Sequence, residues 1–155
     1  MHIRAAGLDD VPVLARLNAE VHGLHVAGAP ERYRAPSTKE VEHWFRGVLA
    51  ADDSATLIGE IDGEPMGYVI VRRSQVTPNV FLAERHFAYV DQLCVTAGAR
   101  GHGHGRALME AAEAQAREWG LATILLDVNG FNEGATRFYQ ALGYATAGIR
   151  FGKRL

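Results

Sequence analysis

Apolar residues along this chain change period several times, and each change marks an element. His2 to Ala6 alternates as a short strand closed by Gly7. Asp9 or Asp10 is placed to cap a helix with Pro12 in its first turn, and Val13, Leu14, Leu17 and Val21 then recur at helical spacing. Residues 23–36 interrupt that period with Gly23, Gly28, Pro30 and Pro36, which predicts a loop or a broken helix. Ser37 or Thr38, followed by Glu40 and Glu42, starts a second helix whose apolar face is Val41, Trp44, Phe45, Val48 and Leu49.

The period then shortens. Ala55–Ile61 and Met66–Arg72 flank Asp62-Gly63, a strong hairpin signal, while residues 74–86 are irregular around a Pro78-Asn79 turn. Phe87–Val95 is apolar and β-branched enough for a central strand. From Gly103 to Trp119 a helix shows the stripe Leu108, Met109, Ala112, Ala116 and Trp119, with Glu113 and Arg117 paired on another face and Gly120 ending it. Ala122–Val128 predicts a short, fully buried strand, parallel to its predecessor through a right-handed crossover. Asn132 caps a last helix with Ala135, Phe138 and Leu142 inward, Gly143 stops it, and Tyr144–Leu155 predicts a final strand. The expected fold is α/β, β-α-α-β-β-β-α-β-α-β: a central mixed sheet flanked by about four helices.

Composition narrows the function. With 155 residues, 48% hydrophobic and 22% charged, the chain fits one domain, residues 1–155, with a substantial core. A net charge of −2 disfavours nucleic-acid binding by bulk electrostatics, so an anion site must be built locally. A lone cysteine, Cys94, excludes an intrachain disulfide, and no apolar run approaches the length of a membrane span or signal peptide. The expected setting is cytoplasmic, with no membrane partner.

One loop concentrates the chemistry. Arg100-Gly101-His102-Gly103-His104-Gly105-Arg106 lies between a strand and a helix, where free N–H groups and the helix dipole favour an anion and the glycines allow close approach. Arg100, Arg106 and protonated His102 or His104 add charge, and a diphosphate suits this device. A P-loop requires Lys followed by Ser or Thr after its last glycine, and Gly105-Arg106-Ala107 stands here instead. A dinucleotide fingerprint requires a third glycine or alanine where the chain has Arg106 or Leu108. His102 and His104 have no third metal ligand near them in sequence, and no metal is expected.

The spacing that does fit, Arg100-x-x-Gly103-x-Gly105, resembles the acyl-CoA signature of the GNAT N-acetyltransferase superfamily. Asn132-x-x-Ala135-x-x-Phe138-Tyr139-x-x-x-Gly143-Tyr144 is similar to that family's second cofactor segment, and Asp91-Gln92-Leu93-Cys94-Val95 resembles its fourth strand. The resemblance implies acetyl-CoA as co-substrate and direct transfer to an amine in a ternary complex, with no covalent acyl-enzyme. It places the cofactor-binding core mainly in residues 87–144 and the acceptor side mainly in residues 1–50. Leu93, Cys94 and Val95 would hold the pantetheine arm and Gly101 to Ala107 the pyrophosphate. Asn132 would reach the pantetheine or cap its helix. Homodimers are common in the family, and a non-catalytic acyl-CoA sensor is the competing function.

Chemistry sets the remaining roles. An alkyl amine with pKa about 10.4 is only about one part in a thousand neutral at pH 7, so a base is needed. Tyr139 matches the family's thiolate proton donor; a phenol near 10 giving its proton to a thiolate near 8.5 is uphill by roughly 2 kcal/mol. Asp91 resembles the family's acidic position and, two residues before Leu93, is expected on the same strand face and opposite Cys94. Glu84, His86 and His25 are its rivals as base. His25 and Tyr33, with His22, Glu31 and Arg34, fall where the family builds its acceptor wall, and Glu84 is a further candidate substrate contact. The acceptor is a small-molecule or peptide amine.

Overall fold

The computed structural model describes residues 1–153. The chain runs β1 (His2–Ala5), a 3-10 turn, α1 (Val11–Gly28), α2 (Thr38–Ala50), β2 (Ser54–Ile61), β3 (Glu64–Val76) and β4 (Arg85–Val95). A second 3-10 turn (Ala97–Ala99), α3 (His104–Glu118), β5 (Ile124–Leu126) and α4 (Glu133–Ala141) follow.

Local chemistry accounts for most boundaries. At the start of α2 the Ser37 N–H and hydroxyl each donate to the Glu40 carboxylate at 2.8 Å, which closes a capping box. Those bonds, with Arg34, hold the Glu40 carboxyl down at about 2. Asp62 and Gly63 take φ of 51° and 82°, as a two-residue hairpin turn between β2 and β3 demands.

The sheet order is β1-β2-β3-β4-β5, antiparallel except for the parallel β4–β5 pair. Alternation along the strands feeds two cores. Ile58, Tyr68, Ile70 and Cys94 pack with Leu14, Leu17, Phe45 and Val48 of α1 and α2. Val69, Val71, Ala88 and Val90 pack on the opposite face with Leu108, Met109 and Ala112 of α3, and α4 joins this side through Phe138 and Tyr139.

Four expectations about element bounds need correction. The first helix does not break at Gly23; it continues to Gly28, where a Cβ would stand 2.5 Å from the Phe131 ring. Tertiary packing of that end offsets the roughly 1 kcal/mol a helical glycine costs. Second, β3 runs on to Val76 and pairs with Arg85–Tyr89, so the irregular stretch shrinks to the turn built on Asn79, whose Oδ1 accepts the N–H groups of Phe81 and Leu82. Third, β5 is three residues long and half-buried, because its pairing with β4 ends early. Fourth, residues 144–153 form no strand, and Ile149 and Phe151 are exposed; residues 154–155 of the expected strand lie outside the described residues.

A β-bulge matters most for function. Ile70 faces Gln92 while the next residue, Val71, faces Val90, so Asp91 is an extra residue in β4. The alternation flips there. Ala88 and Val90, then Leu93 and Val95, face α3, whereas Cys94 faces α1. Asp91 bonds Arg72 on the α1–α2 face, so it lies on the side of Cys94 and away from Leu93, the reverse of simple alternation.

Candidate active site

The β4–β5 ladder holds only Ala88–Ile124, Tyr89–Leu125 and Val90–Leu126, and then the two strands part. From Asp91 to Val95 the outer edge of β4 has no strand partner among the described residues, leaving peptide groups open to a fork between β4 and the β5–α4 loop. Arg100 Nε donates to the Val95 carbonyl at 2.9 Å and marks the end of this edge. Leu93 and Val95 present their side chains toward α3. Cys94 turns the other way and is buried, its thiol donating to the Leu17 carbonyl at 3.2 Å; burial and nearby Glu20 push it up to about 12. A thiol so held is a core group, not a nucleophile.

The glycine loop adjoins the fork. Gly101 and Gly103 take φ of 80° and 82°, which side chains rarely tolerate, and open space lies where their Cβ atoms would be. The first intrahelical bond of α3 runs from the Ala107 N–H to the Gly103 carbonyl at 3.1 Å, so the N–H groups of His104, Gly105 and Arg106 have no acceptor within the helix. Gly105 serves a different purpose: a Cβ there would meet Phe138 at 3.1 Å, so it lets α4 close against α3. His102 Nδ1 lies 2.8 Å from the Arg100 carbonyl, and its ring stacks on His104 at 6.1 Å. The guanidinium groups are used as struts. Arg106 donates to the Ala141 carbonyl at 3.3 Å, and Arg100 reaches Glu20 at 3.4 Å. The loop's attraction for anions therefore rests mainly on backbone N–H groups and the helix dipole.

On the α3 side, Asn132 Oδ1 accepts the Ala135 N–H at 3.0 Å and caps α4. Tyr139, about two turns along that helix, packs on Phe138 and Tyr144 with centroids 5.0 and 5.8 Å away. Burial pushes its phenol up to about 12. Its hydroxyl has no hydrogen-bond partner among the described residues.

The opposite face carries a polar lattice that the sequence reading missed. Asn18 Nδ2 donates to the Tyr68 hydroxyl and to Gln92 Oε1, both at 3.0 Å, and Tyr68 donates to the same Gln92 oxygen at 2.7 Å. This largely buried triad pins α1 to β4; its one legible signal was a polar residue, Asn18, on the stripe of Leu14, Leu17 and Val21. Two turns later His25 packs on Tyr33, ring centroids 5.2 Å apart, and on Phe131 at 6.4 Å. Tyr33 donates its hydroxyl to Asn129 Oδ1 at 3.0 Å. Asp91 Oδ2 is held by Arg72 at 2.9 Å, and the Tyr89 hydroxyl donates to Asp127 at 3.1 Å. Glu84 lies apart, beside His86 at 3.3 Å at the far end of β4, roughly 30 Å along the strand from Val95. The structure thus brings His25 and Tyr33 together and leaves Glu84 at the opposite end of β4 from Val95. Among the described residues, no group of His, Cys, Asp and Glu is placed to hold a metal ion, and no helix is long and apolar enough to cross a membrane.

Residues 18–144 match the model of the acetyltransferase (GNAT) family. The chain belongs to that family. Among its GNAT relatives, an uncharacterized N-acetyltransferase of Archaeoglobus fulgidus is 30% identical over 140 residues, spanning 90% of this chain and 89% of that one. The mycothiol acetyltransferase of Streptomyces avermitilis is 29% identical over 90% of this chain, which spans 41% of that larger protein. A tetramutant of the BH1408 protein of Bacillus halodurans superposes with a TM-score of 0.93, at 29% identity and full coverage of both chains. The same GNAT fold recurs in an aminoglycoside 6'-N-acetyltransferase of Acinetobacter haemolyticus, with a TM-score of 0.73 at 15% identity over 100% of this chain and 99% of that one.

Proposed function

We propose that this GNAT chain moves the acetyl group of acetyl-CoA to a primary amine of a small molecule or peptide, by direct attack in a ternary complex. The observation that carries the proposal is the open edge of β4 from Asp91 to Val95, leading into the free N–H groups of His104 to Arg106. An extended amide-bearing arm ending in a diphosphate has the polar pattern that such an edge and loop would satisfy. Acetyl-CoA supplies the activated thioester, and the chain supplies position and proton management.

In this reading Leu93, Cys94 and Val95 act through their backbone, pairing with the arm and offering an amide to the thioester carbonyl as negative charge develops. Gly101 to Ala107 bind the diphosphate through backbone N–H groups, and Asn132 fixes the start of α4. Tyr139 donates to the departing sulfur. Asp91 has one oxygen committed to Arg72, so a proton-accepting role would fall to its other oxygen. Asp127 beside Tyr89 leaves one net negative charge next to the Asp91–Arg72 ion pair, which favours a cationic acceptor. The names of the relatives weigh for an enzyme over a sensor. The lone buried cysteine fits a cytoplasmic setting. The test is titration with acetyl-CoA, followed by a thiol-release screen over primary amines.

A further inference from the structure

On the face opposite α3 and α4, helix α1 crosses the fork. At Asn18 it is bonded to Gln92 of β4, on one side of the opening. At Gly28 it rests on Phe131 of the β5–α4 loop, on the other side. His25 lies between these two anchors, seven residues beyond Asn18 and so about 10 Å along the axis. Tyr33 and Phe131 pack on its ring, and Tyr33 is itself tied to Asn129, three residues past the point where β5 leaves β4. Tyr139 stands on the other face of the same sheet.

We propose that His25 accepts the proton that the acceptor amine loses, so that α1 carries the base while α4 carries the acid. The proposal rests on the acetyl-transfer reading above. In the step, the amine lone pair forms the C–N bond to the thioester carbonyl and the ammonium proton passes to the imidazole as the nitrogen becomes acidic. The C–S bond breaks and its electron pair goes to sulfur, which the Tyr139 hydroxyl stabilises by donating a hydrogen bond. Solvent then takes the proton from His25 and supplies one to the departing thiolate.

Three features support the assignment. The ring is half-buried, and burial, followed by the charges of His22 and Arg32, pushes it below the ordinary histidine value, which favours the neutral form that can accept a proton. The titratable or charged groups that face it are His22 on α1 and Arg32 and Tyr33 on the following turn; from the β5–α4 loop, Phe131 and Asn129 bring no charge. No side-chain hydrogen bond of this imidazole occurs among the described residues, whereas His22 is committed to the Arg34 carbonyl at 2.7 Å and Asp91 is ion-paired through one oxygen with Arg72, a pair that taking up a proton would weaken.

The experiment compares wild type with His25→Gln and His25→Ala, using acetyl-CoA and a panel of spermidine, tyramine and a short peptide with a free N-terminus. With an amine that wild type acetylates, kcat/KM should fall about 10²- to 10⁴-fold in both variants. The acidic limb of the pH profile near the His25 value, located by NMR titration of its imidazole, should vanish. Added free imidazole should restore part of the rate in His25→Ala, while calorimetric affinity for acetyl-CoA and melting temperature stay close to wild type. Retained turnover, an unchanged acidic limb, or lost turnover that imidazole does not rescue would overturn the proposal. Acetyl-CoA binding without acetylation of any amine by wild type would instead overturn the acetyl-transfer reading, and this proposal with it.

Discussion

Tyr139→Phe removes one hydroxyl from a ring whose packing on Phe138 and Tyr144 is otherwise kept. The structure changes the energetics expected of an unperturbed phenol, because burial raises this one from 10.0 to about 12. Full proton transfer to a thiolate near 8.5 is then uphill by about 3.5 units, roughly 5 kcal/mol, instead of about 2. Complete transfer ahead of bond cleavage is therefore disfavoured. The hydroxyl acts mainly as a hydrogen-bond donor to sulfur while the C–S bond breaks. General-acid groups contribute about 10²- to 10⁴-fold, and this unfavourable match puts Tyr139 near 10²-fold, or about 2.7 kcal/mol of barrier. In a thiol-release assay at saturating acetyl-CoA, kcat should fall about a hundredfold while cofactor affinity stays within about twofold. An unchanged kcat would refute the role. So would a loss confined to affinity, which would make Tyr139 a packing residue.

Two further outcomes follow from geometry. Leu at Gly103 and Leu at Gly120 both put a side chain on a left-handed backbone with open space around it, so each should cost about 1–2 kcal/mol of stability. Only Gly103→Leu should weaken acetyl-CoA binding at least tenfold by calorimetry, and equal affinities in the two variants would remove the loop from the site. On the alkaline side, burial raises Cys94 from 9.0, and Tyr89 and Tyr139 from 10.0, each to about 12. The unfolded chain then loses these protons first, so stability is intact below about pH 9 and falls between pH 9 and 12. A melting temperature that stays flat across that window would contradict the burial of these groups.

The parts legible in the sequence are those fixed by local chemistry. The Ser37–Glu40 box, the Asp62-Gly63 turn, the glycine-led start of α3 and the Asn132 cap each needed only a few neighbouring residues. The helical stripes also identified the core, since Leu108, Met109 and Ala112 are fully buried as their spacing implied. What was not legible depends on long-range contacts. Gly23 and Gly28 read as breakers until Phe131 supplied a surface for the end of α1. The bulge that turns Asp91 away from Leu93 comes from pairing with β3, and strict alternation along β4 could not reveal it. The fork itself is a relation between two strands about thirty residues apart, invisible in either. Tyr144 to Phe151 alternates like a strand, yet in the fold Ile149 and Phe151 are left in water.

The central claim is that the open edge of β4 and the α3 N-terminus form one site for an acyl-CoA. Calorimetric titration of the chain with acetyl-CoA, with NAD and ATP as controls, tests it without any guess about the acceptor. The account predicts saturable one-to-one binding of acetyl-CoA with a Kd on the order of micromolar, about −8 kcal/mol, and far weaker binding of NAD and ATP. No binding of acetyl-CoA or any other acyl-CoA, or equal binding of all three nucleotides, would contradict it and take the catalytic roles of Tyr139 and His25 down with it.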